Sequence, residues 1–115
     1  MLVSRTFNNI NISSGVTEFD LDRLAEHGER HYIYISFLDA AGDKVAANTL
    51  TGSVVVKLSK NGVDYGDMID GSISLADTLT VPHAAGSYTK AKIDLSGITS
   101  SGLAESINVE VITYG

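Results

Sequence analysis

Apolar and polar residues alternate along much of this chain with a period of two, the pattern of strands that bury one face. The clearest stretch spans residues 52–59, where Val54, Val56 and Leu58 fall on one side and Val55 and Lys57 on the other. Lys60-Asn61-Gly62-Val63 follows it. Asn-Gly suits the two positive-φ positions of a type I′ turn, so the chain should reverse there and return through Asp64 and Tyr65. A second run spans 31–38, with Ile33, Ile35 and Phe37 on one face and Tyr32, Tyr34 and Leu38 on the other. Both faces are partly apolar, which suits a central strand. Asp39-Ala40-Ala41-Gly42-Asp43 reads as the turn after it.

Two more runs complete the strong signal. In 90–95, Ala91, Ile93 and Leu95 point inward while Lys90, Lys92 and Asp94 point outward. In 106–114, Ile107, Val109 and Val111 share one face, and Asn108, Glu110 and Ile112 share the other. Weaker strands are predicted near 3–7 or 7–12, at 16–21, at 71–75 and at 78–81. Pro82 lies just past the last of these and fits a strand end, since it has no N–H for a ladder. One short helical turn is predicted near 21–27, capped by Asp20 or Asp22 and ended by Gly28. About seven or eight short strands therefore follow one another with no room for crossover helices. The pattern predicts an all-β antiparallel sandwich, immunoglobulin-like or jelly-roll-like. Residues 15–115 read as one domain and 1–14 as an N-terminal arm or edge strand; the whole reads as a complete module.

Length supports that division, because 115 residues suit a single core. The net charge of −6 works against binding phosphate backbones or anionic lipid. The eight Lys and Arg residues are scattered along the sequence, so neither direct nucleic-acid binding nor membrane binding is expected. No secretory signal opens the sequence, and no apolar run reaches membrane-spanning length. Cysteine is absent, which excludes disulfides, thiolate nucleophiles and cysteine-ligated zinc.

The candidate chemistry is thin. His27 and His31 are four apart, a metal-ligand spacing on a helix, but Gly28 interrupts any helix there. Two solvated histidines at a loop end are the simpler expectation. Asp64, Asp67 and Asp70 recur every third residue and form a weak calcium candidate; the EF-hand spacing is missing, and a solvated acidic hairpin arm is the favoured reading. Ser, His and Asp are present, yet no Gly-x-Ser-x-Gly elbow holds a nucleophile. Ser96-Gly97-Ile98-Thr99-Ser100-Ser101-Gly102 reads as a flexible connection, without the Lys of a phosphate loop. No catalytic residue and no cofactor is expected. Of five tyrosines, Tyr32 and Tyr34 share a strand face. They fit either a second core layer or, with Phe7, Ile10 and Ile12 of the N-terminal segment, an interaction surface.

One set of segments is more telling together than apart. Residues 31–38 lead into Asp39-Ala40-Ala41-Gly42-Asp43-Lys44-Val45 and then Thr51-Gly52-Ser53-Val54-Val55-Val56. Asn61-Gly62-Val63-Asp64-Tyr65 follows, and later Ala91-Lys92-Ile93-Asp94-Leu95-Ser96-Gly97-Ile98-Thr99. In this order they resemble the small β-sandwich structural proteins of tailed bacteriophages. The resemblance covers about two thirds of the chain, from Tyr32 to Thr99; its motifs are mostly hairpin chemistry, and the first thirty residues have no counterpart. Tyr65 stands where an aromatic such as Trp is expected. The resemblance implies a virion part, first of all a capsid decoration or cement protein that binds the major capsid protein or other virion proteins. It also implies a homo-oligomer, with a trimer as the first expectation. A tail or head–tail connector component is an alternative, as is a carbohydrate- or cell-surface-binding module; an enzyme ranks last.

Overall fold

The alternating runs become strands of one antiparallel sheet in the computed structural model, which describes residues 2–21, 30–76 and 80–115. The strands are β1 (Leu2–Asn11), β2 (Val16–Asp20), β3 (Arg30–Leu38), β4 (Lys44–Val45), β5 (Thr51–Ser59), β6 (Tyr65–Ser74), β7 (His83–Ala85), β8 (Lys90–Asp94), β9 (Ile98–Ser100) and β10 (Ser106–Tyr114). Eight of them form a path in the order β1-β10-β3-β7-β6-β5-β8-β2, with β4 attached to β3 and β9 to β5. Single turns of 3-10 helix occupy Ile12–Ser14 and Ala47–Thr49. The helical turn expected at 21–27 falls beyond Leu21 outside the described residues, as does His27.

The sheet curls so that its inner faces pack on each other like the layers of a sandwich. The first layer is β1, β10, β3 and β7; the second is β6, β5, β8 and β2. Between β7 and β6 the ladder narrows to one paired position, Ile69 with His83. Ile33, Phe37, Ile107, Val109 and Val111 of the first layer share one buried cluster with Val54, Val56, Leu58, Ile73, Ala91 and Ile93 of the second. Every inward position predicted for the four strong runs lies in or against that cluster. Each buried Val, Leu or Ile contributes about 1.5–3 kcal/mol relative to an exposed one.

Several local expectations are corrected. The 60–64 connection is a five-residue loop, not a two-residue type I′ turn, since β5 and β6 close on the pair Ser59–Tyr65. Gly62 has φ +81, while Asn61 stays out of the positive-φ region. Instead, Asn61 Oδ1 accepts from the N–H groups of Val63 and Asp64, and Ser59 Oγ accepts from Gly62 N–H. Side-chain acceptance by Asn competes with the backbone turn that Asn-Gly otherwise favours. Of the strand expected at 78–81, residues 78 and 79 lie outside the described residues, while Thr80 and Val81 are not strand and β7 follows Pro82. Pro82 keeps its carbonyl in play by accepting from Ile33 N–H.

The Gly/Ser segment 96–102 is not a flexible connection. It holds β9, which pairs with β5, and Ser53 N–H donates to Gly97 O. Gly52 makes this crossing possible: at φ +104, a Cβ there would lie 2.1 Å from Gly97 O. Ser96 N–H and Oγ both donate to Asp94 Oδ1. These two bonds, with Lys92 and Lys57 nearby, hold the Asp94 carboxyl below the usual carboxylate range.

Candidate functional site

The strand phase of β3 sends His31, Ile33, Ile35 and Phe37 inward and Arg30, Tyr32, Tyr34 and Ser36 outward. On β10 the same rule sends Asn108, Glu110, Ile112 and Tyr114 outward. The register places Tyr114 opposite Arg30, Ile112 opposite Tyr32 and Glu110 opposite Tyr34. On the other flank of β3, His83 stands opposite Tyr32, and Ile69 of β6 stands opposite His83. One outer face therefore gathers three tyrosines, two isoleucines and a histidine.

Their contacts make a surface rather than a second core. The Tyr32 ring stacks on His83 at 5.7 Å between centroids and meets Tyr114 edge-on at 5.5 Å. Tyr32 is half-buried by these two rings, while Tyr34 is 41% exposed, Tyr114 47% and Ile69 62%. The sequence pattern singled out Tyr32 and Tyr34 but placed Tyr114 elsewhere. Its parity with Ile112 marks it as outward, but only the β10–β3 register brings it to Tyr32.

Phe7, Ile10 and Ile12 do not belong to this surface. They are half-buried and pack against the core, with the Phe7 ring 4.7 Å from that of Phe19. Phe7 and Ile10 differ in parity, yet both turn inward, because β1 carries an extra residue between its pairs Phe7–Val109 and Ile10–Ile107. Asn9 sits in that bulge at φ +58, and Asn108 Oδ1 accepts from its N–H.

His31 is not solvated. It is fully buried, because it shares the inward phase of Ile33. Nε2 faces the carbonyl of Gly86, which can only accept, so Nε2 carries the proton. Nδ1 is hydrogen-bonded with Thr113 Oγ1 at 3.0 Å. The Tyr88 ring meets His31 edge-on.

The three aspartates of the calcium candidate are not brought together. Asp64 accepts from Asn61 Nδ2 in the loop, and Asp67 pairs with Lys57 at 3.5 Å. Asp70 lies at a bulge in β6 with φ +56. Among the described residues, no group of three or more His, Asp or Glu could hold a metal ion.

The opposite outer face has a different character. Glu18, Asp20, Lys90, Lys92, Asp94 and Lys57 stand on neighbouring strands, and Lys90 pairs with Asp20 at 3.8 Å. Lys90 and Lys92 thus sit among carboxylates and form no basic patch. The Lys92 ammonium lies 4.3 Å from the centre of the Tyr65 ring. The Tyr65 hydroxyl is shielded from solvent and makes no hydrogen bond of full geometry. Burial, with Glu18 and Asp20 close by, pushes its pKa above the usual 10.0. Between the layers, an apolar cavity of about 100 Å³ opens beside Ile33, Val54, Ile73 and Leu75, under Val81 and Pro82. Tyr34 and Thr80 are the polar residues among those that line it.

No family model and no curated protein matches the sequence. Among solved structures, the chain is similar to the CBM32 of AlyQ in complex with 4,5-unsaturated mannuronic acid. The TM-score is 0.45 at 13% identity, over 96% of this chain and 76% of that one. It is also similar to the SPBc2 prophage-derived protein YomS, at TM-score 0.39 and 14% identity over 98% and 96% of the two chains. A third is the Drosophila NLP-core, described with pentamer formation and histone binding, at TM-score 0.37 and 11% identity over 100% and 96%. At these values the similarities carry no functional argument.

Proposed function

We propose that this chain is a non-catalytic structural protein of a virion, a capsid decoration or cement protein that works by surface contact in a repeating assembly. The observation that supports this reading is the contrast between its two outer faces. One is laced with ion pairs and suits water; the other exposes Tyr34, Tyr114 and Ile69 around a half-buried Tyr32. Aromatic surface with few charges is what contact surfaces are enriched in. The phage-protein resemblance over residues 32–99 selects the virion among possible assemblies. Homo-oligomeric contact and attachment to the major capsid protein belong to the same reading, and the particle is its place of action. The test is mass spectrometry of purified particles from the phage or lysogen that carries the gene. Decoration predicts the chain in proportion to the major capsid protein; a few copies per particle would indicate a tail or connector part. Absence from particles would overturn the virion reading.

A carbohydrate- or cell-surface-binding module is the second reading, favoured by the clustering of Tyr32, Tyr34 and Tyr114 on one open face. Glycan-array binding that Tyr34→Ala abolishes would select it.

A further inference from the structure

We infer that the tyrosine face is covered by a second copy of this chain, in a two-fold, face-to-face pair that sets Arg30 of each copy against Glu110 of the other. The inference rests on reading this face as a contact surface and names its occupant. Its basis is electrostatic. The chain carries net charge −6, so two copies repel over most approaches. The outward positions of β10, β3 and β7 are an exception. Besides His83 they hold one cation, Arg30, and one anion, Glu110. The rest are tyrosines, Ile112, Ala85, Asn108 and two serines; Leu38 shares their parity but is buried.

The placement of the two charges makes the face self-complementary. Arg30 lies at one end of β3 opposite Tyr114; Glu110 lies four residues along on β10, opposite Tyr34. From strand spacing and rise they are about 14 Å apart. Their midpoint falls between Tyr32 and Ile112, which are themselves opposite each other. A two-fold axis lying in the interface and crossing at that midpoint exchanges the charges. Each Arg30 then meets a Glu110, twice per pair, and the half-buried Tyr32 rings lie at the centre. An isologous contact of this kind closes on itself. Like charges meet nowhere in it.

Area sets the strength. β10 and β3 have nine residues each and β7 has three, which at strand spacing and rise is on the order of 300 Å² per copy. Stable interfaces bury about 800 Å² per partner, so this pair belongs to the weak, concentration-dependent class. The contact is two-fold, so it predicts dimers rather than the trimer expected from the sequence.

Sedimentation equilibrium of the full chain across roughly 5–500 µM tests this. A reversible monomer–dimer equilibrium is expected. Arg30→Glu or Glu110→Arg alone should weaken it at least about tenfold, by setting like charges face to face. An equimolar mixture of these two single variants should regain the wild-type strength, because each supplies what the other lacks. Tyr34→Ser should also weaken the pair. Far-UV spectra and thermal midpoints check that these surface variants remain folded. A chain that stays monomeric throughout, a trimer, or a mixture that fails to pair would each overturn the inference. If particles carry the chain and it stays monomeric, this inference falls while the virion reading stands; a dimer in a chain absent from particles gives the reverse.

Discussion

The rings of Phe7 and Phe19 lie 4.7 Å apart, although β1 and β2 are the two ends of the strand path. This contact joins the outermost strands of the curled sheet on the side away from the β7–β6 seam. Phe19→Ala should cost about 3–5 kcal/mol and Phe7→Ala less, because Phe7 is only half-buried. A double-mutant cycle by urea unfolding should give a coupling of about 1 kcal/mol. Strictly additive costs would mean that the two edges do not brace each other.

Gly52 and Gly62 both have positive φ but differ in their surroundings. A Cβ on Gly52 would collide with Gly97 O and Thr99 N, whereas one on Gly62 would meet only the Lys90 side chain at 3.8 Å. Gly52→Ala should therefore lose at least about 3 kcal/mol by separating β9 from β5, while Gly62→Val should lose about 1–3 kcal/mol from backbone strain alone. Thermal melts of the two variants, compared side by side, check the order.

His31 satisfies the Gly86 carbonyl and the Thr113 hydroxyl inside the first layer. His31→Leu keeps the apolar contacts and strands both groups. The expected loss is about 2–4 kcal/mol, with faster exchange of the amides around 86–89. Native-state hydrogen exchange would show it; a neutral substitution would mean that water replaces the ring.

Asp94 governs part of the acid limb. Its pKa is lowered in the fold by Ser96, so its contribution is full above the ordinary value of 3.8 and fades as pH falls through the folded value. Asp94→Asn should be less stable at neutral pH and should show a shallower loss as pH falls below 3.8. Ser96→Ala should move the same limb. A slope identical to wild type in both variants would remove Asp94 from the account.

Tyr65 acts at the other end of the scale. Its pKa is raised, first by burial and then by Glu18, so its effect on stability is constant below 10.0 and turns unfavourable as pH rises past that value. The hydroxyl has no full hydrogen bond to lose. Tyr65→Phe should be within about 0.5 kcal/mol of wild type at pH 7 and more stable than wild type above about pH 10. Equilibrium unfolding at the two pH values decides it.

What the sequence revealed was what strand parity controls. Val54, Val56, Leu58, Ala91, Ile93, Ile107, Val109 and Val111 are inward as their alternation requires. Parity also shows His31 to be inward with Ile33, although its four-residue spacing from His27 points to other chemistry. Parity fails where a residue is inserted: the bulge at Asn9 puts Phe7 and Ile10 on one side and removes both from the contact surface. It is silent on pairing across long separations. Tyr32 and Tyr114 meet only because β10 lies beside β3, and no local pattern encodes that choice. Asn61-Gly62 misled for a local reason, since the Asn side chain satisfies the loop that the backbone turn would otherwise close.

The position of β10 between β1 and β3 also bears on how the protein is made. Residues 2–11 and 30–38 are synthesised well before residues 106–114, yet both pair with them. Until those nine residues leave the ribosome, the first layer has a gap at its middle. The nascent chain must carry Phe7, Ile33 and Phe37 without their partners in the meantime. Chaperone demand from this layer should therefore be greatest just before β10 emerges.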